Sequence, residues 1–171
     1  MDYKIIYSKR KTLSLCIRNG GLVVCAPYGL PAAKIEEAIA RHRRWIDNAI
    51  ARTNAREAMT ASLTEADILR LKREAAKTLS EKTAYYAKIM GASYGRVTVT
   101  SAKTRFGSCS AKGNISYSYR LMLYPEAAID YVVVHELAHT FEMNHSPRFW
   151  AVVANYMPDY KDRKKLLKPE V

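Results

Sequence analysis

The sequence predicts an α+β fold in which strands and helices occupy separate stretches of the chain. Near the N-terminus, apolar and polar residues alternate with the period of a β-strand. Residues 64–90 and 130–144 instead have the apolar spacing of helices. Between those two helices we expect three short strands, at residues 96–100, 106–110 and 115–119.

The first expected element is a β-hairpin, formed by residues 13–18 and 22–26 around the segment Asn19-Gly20-Gly21. Two registers are open. If Gly20 and Gly21 form the turn, Cys16 lies opposite Cys25 with Cα atoms about 4.5 Å apart. If the turn begins one residue earlier, the two cysteines are diagonal neighbours that cannot bridge easily.

Four helices are expected after the hairpin. The first runs from Pro31 to about residue 54, and its apolar stripe includes His42 and Trp45 as packing residues. The second begins at Thr64 with the signature of a capping box, and the third spans residues 130–144. The fourth starts at the serine of Ser146-Pro147. We expect two domains: a basic lobe of hairpin and helix at residues 1–63, and a second domain at residues 64–171.

The composition is that of a soluble globular protein, with 49% hydrophobic and 26% charged residues. No apolar run approaches the roughly 20 residues of a membrane-spanning helix, and the N-terminus lacks a secretory signal pattern. Three cysteines are too few for a disulfide framework. We expect a cytoplasmic protein without a membrane partner.

The net charge of +12 is large for 171 residues. Basic residues cluster at 9–11, 41–44 and 161–168. Such an excess attracts polyanions, so nucleic acid is a possible partner of this basic surface, although no known nucleic-acid motif accompanies it.

The third helix carries the pattern H-E-x-x-H, with His135, Glu136 and His139. Residues four apart on a helix lie on one face, so both imidazoles can reach one Zn²⁺ ion. Glu136 follows the first histidine directly, where a carboxylate can act as the catalytic base that takes a proton from water.

The third metal ligand is expected to be His145, ten residues after His135. An unbroken helix would carry it about 15 Å along the axis, so the chain must turn back after residue 140. The rival ligands are Glu142 and Asp159, and Cys109 could be a fourth. Four residues could stabilise an oxyanion, and the sequence does not choose among them: Tyr119, Arg120, Arg148 and Tyr156.

These motifs resemble the YgjP-like family of zinc-dependent hydrolases, relatives of the SprT and WLM zincins. The matching segments are 8–12, 107–110, 113–115, 120–121, 130–139, 143–146 and 149–150. The chain departs from the family at Phe106 and at Ser118-Tyr119, where the family usually has Trp and Asn-Trp. The resemblance implies a zincin-like minimal metallopeptidase core, consisting of a backing helix, a small sheet and an active helix.

The resemblance also implies that His135, His139 and His145 are the ligands of Zn²⁺ and that Glu136 is the base. The favoured function is a zinc metallopeptidase that acts on a protein or peptide substrate. Two alternatives stay open at this point. One is a metal-dependent nucleotide phosphohydrolase, and the other is a nucleic-acid-binding module with a structural metal.

Overall fold

The computed structural model describes residues 2–18 and 20–168 of the chain. The chain divides into two compact units, one at Met1–Ala61 and one at Ser62–Lys168. The assignment of residues 1–63 and 64–171 to two functional domains stays a prediction. No helix among the described residues is both long enough and apolar enough to cross a membrane.

The first unit has a three-stranded sheet and two helices. Its elements are β1 (Tyr3–Ser8), β2 (Ser14–Arg18), β3 (Gly21–Pro27), α1 (Ala32–Arg41) and α2 (Arg43–Ala61). The central strand β3 pairs parallel with β1 and antiparallel with β2. Buried side chains of β3 and of both helices form the core of the unit: Leu22, Val24, Ala26, Ile35, Ile39 and Ile46.

The expected hairpin is present as β2 and β3, and its register is the second of the two alternatives. Arg18 pairs with Gly21, and Cys16 pairs with Val23. The direct pairing of Cys16 with Cys25 is therefore wrong. The prediction that Asn19 belongs to the turn lies outside the described residues.

The single helix expected from Pro31 to residue 54 is two helices. The backbone N–H of His42 donates to the carbonyls of Ala38 and Ile39, and α2 begins at the next residue. The helix breaks there, so only part of the expected apolar stripe is buried, and Ile46 of α2 still lies in the core. His42 is exposed, and Trp45 is 45% exposed, so neither is a core packing residue.

The second unit begins with a long helix, α3, and ends with two short ones. Its elements are α3 (Glu65–Met90), β4 (Val97–Thr100), β5 (Gly107–Cys109), β6 (Ile115–Ser118), a 3-10 helix (Tyr119–Leu123), α4 (Glu126–Ala138), α5 (Pro147–Tyr156) and α6 (Tyr160–Lys165). In its sheet the central strand β6 pairs parallel with β4 and antiparallel with β5.

Helix α3 is the backing helix of this unit. Thr64 and Asp67 form the expected capping box, and Gly91 ends the helix with a φ of 65°. The buried Thr83 hydroxyl lies 3.1 Å from the Tyr117 hydroxyl of β6, which ties the helix to the sheet. The α+β prediction is confirmed, and the backing helix, small sheet and active helix of the expected core are all present.

Helix α4 differs from the expected span of residues 130–144. It begins directly after Pro125 and ends at Ala138. Nine of its 13 residues are buried: Ala128, Ile129, Tyr131, Val132, Val133, Val134, Glu136, Leu137 and Ala138. Lys82 of α3 fixes its first turns, because the ammonium lies 2.7 Å from a carboxylate oxygen of Glu126 and 2.7 Å from one of Asp130.

Candidate metal centre

The H-E-x-x-H pattern lies at the C-terminal end of α4. His135 and Glu136 are in its last turn, and His139 is the residue that caps it. The 3.6-residue period places the two histidines on one side of the helix, with ring centroids 5.0 Å apart. Their side chains are shielded to different degrees, since His139 is 8% exposed and His135 is half-buried.

The chain turns immediately after this pair, as the position of a third ligand requires. The N–H groups of Thr140 and Phe141 donate to carbonyls three residues back, on Leu137 and Ala138, which ends the regular helix. Ser146 then accepts a hydrogen bond from the Phe149 N–H and begins α5.

This turn brings the third histidine to the first two. His145 Nε2 lies 3.0 Å from His135 Nε2, and its ring centroid lies 4.7 Å from that of His139. One nitrogen from each of the three imidazoles falls within 4.8 Å of the others. His145 is exposed, so the group is open to solvent on that side.

Two contacts fix how the rings of His135 and His139 are oriented. His139 Nδ1 lies 3.2 Å from the carbonyl oxygen of Glu142, and only a protonated Nδ1 can donate there. His135 Nδ1 lies 3.4 Å from the Tyr131 hydroxyl. With its Nδ1 protonated, His139 keeps the Nε2 lone pair for a metal, and His135 does so when its Nδ1 donates to the Tyr131 hydroxyl, which can donate or accept.

Burial keeps the two helical histidines in the form that binds metal. It is the main cause that lowers the pKa of His135 to about 3, with further contributions from the neighbouring His139 and His145. Burial likewise lowers the pKa of His139. Neutral imidazoles at ordinary pH are ready to donate their lone pairs.

Glu136 is more enclosed than any of the three histidines, with an exposed fraction of 5%. Burial raises its pKa to about 8, and the charge of Arg105 offsets a small part of that effect. The backbone of Gly107 in β5 lies directly against this side chain. A Cβ atom at Gly107 would come within 2.5 Å of Glu136 Oε1 and 2.7 Å of its Cγ.

The donor set fits zinc. Two nitrogens bound to one tetrahedral zinc at 2.0–2.1 Å are about 3.3 Å apart, and the His135 and His145 Nε2 atoms are 3.0 Å apart. Three imidazoles with an open side match the ligand set of a catalytic rather than a structural zinc.

The rival ligands do not join the three histidines. Glu142 reaches His139 through its backbone carbonyl, and the carboxylate of Asp159 pairs with Arg163 at 2.8 Å. Cys109 Sγ contacts the Ser110 carbonyl at 3.5 Å. Among the described residues, the group that could hold a metal consists of the three histidines alone.

Several candidates for stabilising an oxyanion have structural contacts instead. Arg120 donates to the Ser101 carbonyl at 2.7 Å, and the Tyr156 hydroxyl donates to the Met90 carbonyl at 3.1 Å. Tyr119 is 1% exposed. Sequence reasoning assigned no role to Gly107 and none to Tyr131, although Tyr131 precedes His135 by one helical turn, a spacing that indicates contact.

A match to a known family is consistent with a metal-binding centre in the second unit. Residues 65–170 match the family model described as YgjP-like, metallopeptidase domain. No curated protein is significantly similar to the sequence. The chain is similar to the metallopeptidase zymogen of Pyrococcus abyssi abylysin, with 24% identity and a TM-score of 0.48 over 55% of this chain and 100% of that chain. It is also similar to the zymogen of Methanocaldococcus jannaschii jannalysin, with 16% identity and a TM-score of 0.44 over 51% and 90% of the chains.

Proposed function

The chain belongs to the YgjP-like family of metallopeptidase domains, and on this basis we propose that His135, His139 and His145 hold one zinc ion while Glu136 serves as the base of peptide-bond hydrolysis. The observation that carries the proposal is the convergence of three imidazole nitrogens within 4.8 Å, beside a buried carboxyl group. Zinc, when bound, acts as a Lewis acid that polarises a carbonyl and acidifies water.

The protein supplies the proton transfers. Glu136 accepts a proton from the attacking water and later delivers it to the leaving amine nitrogen. Burial raises the pKa of Glu136 in the metal-free protein, and the positive charge of a zinc ion would favour the carboxylate form that accepts the proton. Tyr131 and the Glu142 carbonyl hold the His135 and His139 rings so that the centre keeps its geometry.

Strand β5 supports a binding mode for an extended peptide. It pairs only with β6 among the described strands, so its other edge offers backbone N–H and C=O groups. Gly107, at the start of this strand, contacts Glu136. A peptide added to that edge would therefore run past the base.

The family match favours a peptidase over both the nucleotide phosphohydrolase and the structural-metal alternative. Nucleic acid as an additional partner stays a prediction that rests on the net charge of +12. A cytoplasmic location is likewise our inference, and the three unpaired cysteines support it: Cys16, Cys25 and Cys109.

The test is a paired substrate screen. Zinc-loaded protein is incubated with a mixed peptide library and, separately, with the nucleoside triphosphates, and Glu136→Gln protein is the control. We expect cleavage of peptides by the parent alone. Phosphate release from nucleotides without any peptide cleavage would overturn the proposal.

A further inference from the structure

We propose that a lysine-lined groove on α5 and α6 binds an acidic side chain of the peptide substrate, next to the metal centre. The inference rests on the proposed peptidase function and adds the substrate class. The groove encloses about 340 Å³, and six residues line it: Trp150, Tyr160, Lys161, Lys164, Lys165 and Lys168.

Two stacked aromatic rings form the apolar part of the groove. The Trp150 and Tyr160 ring centroids are 5.5 Å apart with an interplanar angle of 18°. The Lys164 ammonium lies 4.8 Å from the Trp150 centroid, and the Lys161 ammonium lies 6.0 Å from that of Tyr160. The rings therefore hold the stems and charges of two lysines at defined positions.

Among the described residues, three of the four lysines of the groove have no carboxylate partner. Within residues 2–18 and 20–168, no carboxylate forms an ion pair with Lys161, Lys164 or Lys168. The two acidic residues of this segment have other partners, since Asp159 pairs with Arg163 and Asp162 with Lys165. Three ammonium groups around one groove are a receptor for an anion.

The groove adjoins the metal centre. The Trp150 ring centroid is 5.8 Å from that of His135 and 5.8 Å from that of His145. Because an extended peptide advances about 3.4 Å per residue, an anion held here lies within about three residues of the bond that is cut.

These features favour a carboxylate over a nucleic acid base. The Trp150 ring already contacts Tyr160, Lys164 and His145, so the groove offers charged groups rather than an unoccupied ring surface for stacking. A carboxylate is the anion that a peptide carries on its own side chains. The geometry thus assigns selectivity for Glu or Asp near the cleaved bond.

The experiment compares peptides that differ only by Glu, Gln or Lys at each of three positions on either side of the cleaved bond. We expect kcat/KM to favour Glu over Gln by about tenfold or more at one position, the usual scale of a charge-assisted contact. The variant Lys161→Glu/Lys164→Glu should abolish that preference and favour the Lys peptide. Lys77→Glu on α3, outside the groove, is the matched control and should behave like the parent.

Binding supplies a second readout that does not depend on turnover. In fluorescence anisotropy, Glu136→Gln protein should bind the Glu peptide more tightly than the Gln peptide. Adding Lys161→Glu and Lys164→Glu to that protein should remove the difference. Equal binding and cleavage of Glu and Gln peptides would overturn the subsite. So would a double reversal that weakens only the binding of a single-stranded oligonucleotide. If acidic peptides bind selectively but none is cleaved, the subsite stands and the peptidase function fails.

Discussion

The carboxyl group of Glu136 lies against the backbone of Gly107, so closely that a Cβ at Gly107 would come within 2.5 Å of Glu136 Oε1. Gly107 is the first residue of β5, and Glu136 belongs to α4. The strand that could hold a substrate therefore also confines the proposed base. A hydrogen atom is the largest side chain that fits between them.

Replacing Gly107 with alanine should displace the Glu136 carboxyl group. We expect kcat to fall at least about tenfold and the free energy of unfolding to drop by about 1–3 kcal/mol, the range for overpacking. Zinc content should not change, because the atoms nearest to the added Cβ belong to Glu136 and not to a histidine. The control is Glu136→Ala, in which the same Gly107 substitution should cost less stability. Equal costs in the two backgrounds would refute the contact.

Glu136→Gln should separate the base from the ligands. The amide keeps the size of the side chain and loses its basicity, so we expect zinc binding and folding like those of the parent. Turnover should fall by about 10²-fold or more, the scale of general-base catalysis. Zinc stoichiometry and kcat on the same preparation check this. Full activity would remove Glu136 from the mechanism.

In the zinc-free protein, the contribution of Glu136 to the free energy of unfolding should fall as pH rises from about 4.5 to about 8, whereas the lowered pKa of His135 has the opposite effect at acidic pH. The folded-state pKa of Glu136 is raised to about 8, so the native state keeps a proton that the unfolded chain has already released. Glu136→Gln removes that cost and should raise the melting temperature by several degrees at pH 8, but not at pH 4. Parallel melting curves of the two proteins test this, and a difference independent of pH would contradict it.

His145→Ala should reduce zinc to well below one ion per chain. A site with two imidazoles lacks the three protein ligands of a catalytic zinc. Metal analysis after dialysis measures the loss. His42→Ala, an exposed histidine in the first unit, is the matched control and should retain zinc like the parent. Full retention in His145→Ala would show that another residue is the third ligand.

The residues of the candidate metal centre could be predicted from the sequence where their spacing along the chain determines their position. His135 and His139 converge because they are four residues apart on a helix, and the ten-residue spacing indicated His145. The contact of Gly107 with Glu136 could not be predicted, because it depends on how a strand packs against a helix. The two residues are 29 positions apart in the chain. Contacts between residues far apart in the chain produce no periodic pattern in a sequence.

Two elements, β1 and α6, and the end of α4 were not predicted from the sequence, for similar reasons. β1 was not expected, because its neighbouring Ile5 and Ile6 interrupt the alternation and its parallel pairing with β3 is not adjacent in sequence. Helix α6 has no buried residue, so it shows no apolar period. The end of α4 at Ala138 depends on hydrogen bonds of the following turn.

Because α4 is buried on nearly every side, few of its residues can be substituted without loss of stability. Nine of its 13 residues are enclosed, so most substitutions there would open a cavity or force the core apart, whatever they did for the chemistry. By contrast, Lys161, Lys164 and Lys168 are exposed and can be exchanged at little cost in stability. We therefore expect substitutions in evolved variants of this chain to be most frequent on α6 and in the residues that follow it. Such substitutions would change substrate preference and leave the reaction unchanged.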